Sequence, residues 1–175
     1  MTALLLPFIV LSATGLLLSI ATHVASLLGL TVPGGGLVWS LHIGIFVVWL
    51  PAVLVAYGIN RGRPQSELWK NVLSGVPKWM RYAMYALFAY AIANFVLFMF
   101  TASGPQPEGD APPSVVRGFS GHWMAFYGAA FVTLLSAYLK PALLKKQKCS
   151  KGHDVSSTDV FCPTCGSEIS PRSGL

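Results

Sequence analysis

Four apolar blocks, about residues 3–30, 37–58, 79–101 and 119–144, leave this chain few ways to fold. Each is long enough to cross about 30 Å of hydrocarbon, which takes roughly 20 apolar residues in a helix. In hydrocarbon the backbone must satisfy its own N–H and C=O groups, and blocks of this length do so as helices. With 54% hydrophobic and only 10% charged residues, the composition excludes an ordinary soluble domain. The sequence therefore predicts an all-α integral membrane protein. Its first part, residues 1–144, is a four-transmembrane-helix bundle with antiparallel neighbours joined in sequence order; a basic linker and tail fill 145–175. The first block lacks the basic start of a secretory signal and exceeds a signal core in length, so it reads as a permanent span.

A net charge of +6 invites a nucleic-acid reading, but the basic residues flank spans and form no separate domain. No nucleic acid is expected; the bilayer is the expected neighbour. Arg61, Arg63, Lys70, Lys78 and Arg81 fall between the second and third blocks against Glu67 alone, whereas Glu108, Asp110 and Arg117 lie between the third and fourth. By the cytoplasmic excess of Lys and Arg, the former connection is inside and the latter outside. Lys140, Lys145, Lys146, Lys148 and Lys151 then place both termini in the cytoplasm and turn Gly34-Gly35-Gly36 outward. Within the inner connection, Pro64 can start a short helix on the membrane surface, with Leu68, Trp69, Val72 and Leu73 on one side and Glu67, Lys70 and Asn71 on the other. Gly104 to Pro113 holds too much Pro and Gly for regular structure. Pro51 removes a hydrogen bond inside the second span and predicts a kink after Trp49.

All three cysteines lie in the tail: Cys149-Ser150-Lys151-Gly152-His153, then Phe161-Cys162-Pro163-Thr164-Cys165-Gly166. Two short turns of this kind bring four soft or borderline donors to one point, as tetrahedral zinc requires, and Gly152 and Gly166 suit the turns. The odd cysteine count argues against a disulfide framework. A tail this short cannot bury a core, so metal would supply most of its folding free energy. The predicted ligands are Cys149, His153, Cys162 and Cys165. A redox Cys-x-x-Cys is the competing reading, though no thioredoxin-like strand and helix surround it.

From Cys149 to Ile169 the tail resembles the small zinc ribbons found at the ends of many prokaryotic proteins, above all in its Phe-Cys-Pro-x-Cys-Gly half. The first knuckle departs from that pattern: its second cysteine is absent, and His153 follows a glycine one place later. The resemblance implies a structural, protein-contacting module without catalysis of its own. With the topology above, it leads to the expectation of a multi-pass protein in the cell (inner) membrane of a prokaryote.

Three histidines, His23, His42 and His122, lie inside the apolar blocks at similar depth near the outer face. An ionisable group in a span normally faces the bundle interior. Advancing about 100° per residue, Ser12, Gly15, Ser19, Thr22, His23 and Ser26 share one face of the first span, and His122, Ala125, Ala129, Thr133 and Ser136 one face of the fourth. His42 shares its face with Ile45, Trp49, Ala52, Val53 and Ala56. These readings predict that the three imidazoles converge, with Asn94 as a supporting hydrogen-bond partner. They would hold a second metal or, as a pair such as His42 with His122, a haem. Left empty, they would sense external acidity or pack by hydrogen bonds. No Asp or Glu lies within a span to serve as a general base, and an enzyme is not expected. The expected function is membrane assembly, anchoring or regulation through a cytoplasmic zinc tail that contacts a protein partner. The alternative is a membrane metalloprotein or haem protein built on the histidine cluster.

Overall fold

The apolar blocks become helices whose ends are set by proline and glycine. The computed structural model describes residues 2–30, 35–61, 63–101, 111–145, 147–155 and 160–169. Its elements are α1 (Leu6–Leu27), α2 (Ser40–Asn60), the short α3 (Leu68–Val72), α4 (Lys78–Thr101) and α5 (Pro113–Leu139), followed by the two-residue strands β1 (Gln147–Lys148) and β2 (Asp154–Val155). The four long helices are long and apolar enough to cross a membrane. The Gly34 turn, the 102–110 segment with Glu108 and Asp110, and Lys146 lie outside the described residues.

α1 closes at Gly29, whose φ of 70° is open to glycine, with Leu30 donating its N–H back to the Ala25 carbonyl. α5 starts at Pro113, ahead of the expected residue 119, because a proline in the first turn has its φ already set for helix and gives up an N–H that would be unpaired there. It stops at Leu139, short of 144: Pro141 cannot continue it, and Pro141–Leu144 makes a 3-10 turn. α2 continues as helix through Pro51.

The packing does not follow sequence order alone, since α1 packs most extensively on α5. α5 is the axis, packed against α1, α2 and α4, whereas α4 leans chiefly on α5. The physical reason is side-chain size. Gly118, Gly121, Ala125, Gly128, Ala129, Ala130, Ser136 and Ala137 are spread around α5 and buried there, so neighbours approach it from several sides. Large apolar side chains point outward instead: Leu17, Ile43, Phe46 and Leu54 are about two-thirds exposed and Phe100 81% exposed. Such a surface suits hydrocarbon, not water.

On α1 the expected small, polar face is buried in full, from Ser12 to Ser26. On α2 the buried side is Ile45, Val48, Ala52 and Ile59, while Val53 turns outward. α3 also departs from expectation. Asn71 does not face outward: Val72 and Leu73 are fully buried against Met84, Ala129 and Val132, and Asn71 is buried with them. The Gly75 N–H donates to Ser136 Oγ at 2.9 Å, drawing this segment onto α5.

One side chain ties three helices together. The Tyr127 ring of α5 lies where a Cβ at Gly15 of α1 would sit, and its hydroxyl occupies the same space at Gly44 of α2 while donating to the Leu41 carbonyl at 2.8 Å. Both glycines therefore make room for one tyrosine. Gly15→Leu should cost about 1–3 kcal/mol of unfolding free energy by overpacking. In detergent unfolding titrations, Gly15→Leu combined with Tyr127→Ala should be less destabilised than the sum of the two changes, by about 0.5–3 kcal/mol. Strict additivity would show that the contact is not the constraint.

Candidate functional site

The tail is organised by two backbone turns. In the first, Gly152 N–H donates to the Cys149 carbonyl at 2.9 Å and Cys149 N–H to the His153 carbonyl at 3.0 Å; in the second, Cys162 N–H donates to the Ser167 carbonyl and Gly166 N–H to the Cys162 carbonyl, both at 2.8 Å. Gly152 and Gly166 have φ of 84° and 69°, a region where a Cβ is strained. β1 and β2 pair antiparallel across the first turn, and Phe161 bridges to Glu168 across the second. Ile169 and the half-buried Val155 back the ligands, and Cys149 and Cys162 are buried among them.

The four expected ligands converge, with donor atoms within 4.8 Å of one another. Cys149 Sγ is 3.7 Å from Cys165 Sγ and 3.5 Å from His153 Nδ1, and Cys162 Sγ is 3.8 Å from His153 Nδ1. A tetrahedral ion bonded to sulfur at about 2.3 Å and nitrogen at about 2.0–2.1 Å sets edges of about 3.8 Å between sulfurs and about 3.6 Å between sulfur and nitrogen. The separations between the tail's donor atoms are edges of that size. They also exclude a disulfide, which needs about 2.05 Å, and all three cysteines are free. His153 thus takes the place of the missing cysteine through Nδ1.

The electrostatics fit a ligand set that exchanges protons for a cation. The Ser167 hydroxyl and N–H hold the Cys165 thiol down to about 6, and hydrogen bonds to Cys165 and Cys149 raise the His153 imidazole, whereas burial raises the Cys162 thiol. Ser167, whose Oγ lies 3.0 Å from Cys165 Sγ, is a supporting residue that the sequence reading missed. Its place two residues after a ligand was the available signal.

The histidines of the helices divide into two sites. His42 and His122 meet edge to face with centroids 5.6 Å apart, and Trp123 Nε1 donates to His42 Nδ1 at 2.9 Å. Indole nitrogen only donates, so His42 carries its proton on Nε2. Phe95, Phe119 and Phe126 surround His122. The edge-to-face contact leaves no slot for a porphyrin between these two rings.

His23 is elsewhere, for a geometric reason. It contacts Ser120, and Ser120 and His122 point about 200° apart on α5. Its Nδ1 is 2.8 Å from Ser120 Oγ and its Nε2 faces the Tyr90 hydroxyl. Ser120 donates onward to the Arg117 carbonyl at 3.2 Å, which gives the chain one direction: Tyr90 O–H to Nε2, Nδ1–H to Ser120, Ser120 to Arg117. Both ring nitrogens are thereby engaged. The expected three-histidine ligand set is not assembled, and among the described residues the tail holds the group of three or more metal-ligating side chains. Asn94 is likewise no partner of the imidazoles; its amide donates to the Arg117 carbonyl at 2.9 Å and stitches α4 to α5 beside Gly121. Tyr90, four residues before Asn94 on the same helix face, was legible as a neighbour by spacing alone.

No family model matches the sequence, and no curated protein or solved structure matches it either.

The tail should carry one transition-metal ion per chain, read by elemental analysis of the purified full-length protein. Cys162→Ser should reduce that content to background while leaving helical dichroism unchanged, because the tail cluster and the bundle cores share no buried residue. Since the ion displaces protons, affinity should fall as pH drops already from above neutral, where the raised Cys162 and His153 hold their protons, and more steeply below about 6, where Cys165 protonates as well. Full retention of metal in Cys162→Ser would refute the site.

Proposed function

We propose that this chain is a membrane-embedded assembly or anchoring protein that holds a zinc-loaded, protein-contacting tail at the cytoplasmic surface of a prokaryotic cell membrane. The observation that carries the reading is the Cys149/His153/Cys162/Cys165 tetrad at tetrahedral spacing. Three thiolates and one imidazole fill four positions and leave none open, as in structural zinc sites and unlike catalytic ones. The outward apolar surface supports embedding, and the Lys and Arg excess in the α2–α4 connection and after α5 supports cytoplasmic ends. Val160 and Phe161, both about 60% exposed beside the second knuckle, are apolar groups that a partner would cover.

A photo-crosslinking residue at Phe161, activated in intact cells, should give one dominant protein adduct. Cys162→Ser should abolish that adduct without releasing the chain from the membrane. A scatter of weak adducts, or one unaffected by Cys162→Ser, would overturn a metal-organised contact surface. A second reading, a metal ion at His42 and His122, rests on their ring contact alone, because Trp123 engages the His42 lone pair at Nδ1 and leaves Nε2 as an N–H that would have to give up its proton. It requires metal that survives loss of the tail's cysteines and falls with His122→Phe; zinc lost entirely with Cys162→Ser rules it out.

A further inference from the structure

The end of α2 nearest α3 borders a cavity of about 330 Å³, within the size range of small-molecule sites. Its lining changes character along one direction. Trp49, Ala52 and Ala56 line it deep in α2, Trp69 of α3 forms a wall, and Arg61, Arg63 and Gln65 follow the helix end. From Trp49 to Arg61 is about 18 Å along the helix axis. The cavity therefore runs from an apolar floor inside the span to a cationic mouth at its end.

The mouth is built from buried polar groups. Asn60 and Asn71 are each only 7% exposed, and they spend their amides on positioning Arg63. Arg63 Nη1 donates to Asn71 Oδ1 at 2.8 Å, Asn71 Nδ2 donates to Asn60 Oδ1 at 2.9 Å, and Asn60 Nδ2 turns back to the Arg63 and Pro64 carbonyls at 3.5 and 3.4 Å. Arg61 is exposed beside it and meets no carboxylate among the described residues, and Glu67 is the one acidic residue in the whole connection. Trp69, which packs edge to face on Phe88 at 5.8 Å, is held as a wall in the position where amphipathic rings suit a membrane interface.

We propose that this cavity binds one anionic phospholipid, its acyl chain along Trp49, Ala52 and Ala56 and its phosphate headgroup at Arg61, at the mouth that the Arg63–Asn71–Asn60 network frames. Charge complementarity selects the occupant: a zwitterionic lipid fits the apolar floor equally well but brings its own cation to a mouth where the Arg61 guanidinium stands exposed. The site is independent of the tail and of the membrane side on which it lies.

The test is native mass spectrometry of the full-length protein with an equimolar mixture of phosphatidylglycerol and phosphatidylcholine of identical chains. The wild type should retain the anionic lipid in preference, and Arg61→Gln should lower the preference about fivefold, which is about 1 kcal/mol per arginine near a headgroup. Arg61 is exposed at the end of α2, so this variant should keep the bundle intact, as read by unchanged helical dichroism. Ala56→Phe, which fills the cavity, should remove the retained lipid of either kind. Equal retention of both lipids by the wild type, or retention unchanged in Ala56→Phe, overturns the proposal. Displacement of the lipid by millimolar inorganic phosphate also overturns it, because Arg61 would then recognise a free anion without the chain.

Discussion

In hydrocarbon, two helices gain little by hiding leucines from each other, because lipid tails are as apolar as the leucines themselves. Association rests on close packing and on hydrogen bonds between helices, and in this chain both converge on α5. Gly15 and Gly44 receive Tyr127, Gly118 receives the Phe98 ring, and Gly75 lies on Ser136. Each contact removes a side chain on one helix so that a larger group on another can enter. A central helix is the geometric consequence: α5 offers Gly118 to Phe98 of α4 and its own Tyr127 to Gly15 of α1 and Gly44 of α2, so that neighbours close on it from three directions.

The polar groups follow the same economy. His23, Tyr90, Ser120 and Arg117 form a directed chain, Asn94 caps the carbonyls of Arg117 and Gly118, Trp123 serves His42, and Asn60 and Asn71 serve Arg63. Three of these four networks join α5 to a different neighbour or pair of neighbours. Membrane hydrogen bonds contribute only about 0.6 kcal/mol each on average, so their value here is register more than strength. They fix how far each helix slides along α5 and how it turns, which glycine contacts alone leave loose.

This explains what the sequence made legible. The α1 stripe from Ser12 to Ser26 was readable because its small residues repeat at helical period on a single face, and the tail ligands because chemistry fixes their spacing within twenty residues. The role of α5 was hidden by the same reasoning. A search for one inward face finds His122, Ala125, Ala129, Thr133 and Ser136, yet Trp123, Ala130 and Leu134, on other faces, are fully buried. The histidine grouping failed on angle, not depth: equal depth places three imidazoles in one layer, but a helix at the centre of that layer separates those that touch opposite sides of it. Asn71 was assigned outward from its polarity, whereas its amide is consumed by Asn60 and Arg63. Polarity predicts exposure only where no partner is waiting.

The same contrast separates the two halves of the chain energetically. The bundle is held by many small contacts distributed along 27 residues of α5, so that no single polar group decides whether it forms. Among its described residues the tail has three buried side chains, Cys149, Cys162 and Ile169, two two-residue strands and a pair of glycine turns, little apolar surface with which to order itself. On the zinc-tail reading proposed above, its order would depend on four donor atoms meeting one ion. Metal supply would then switch the tail between a defined surface that presents Phe161 and an unfolded chain, while the bundle, whose cores share no buried residue with the tail cluster, would be indifferent to the ion.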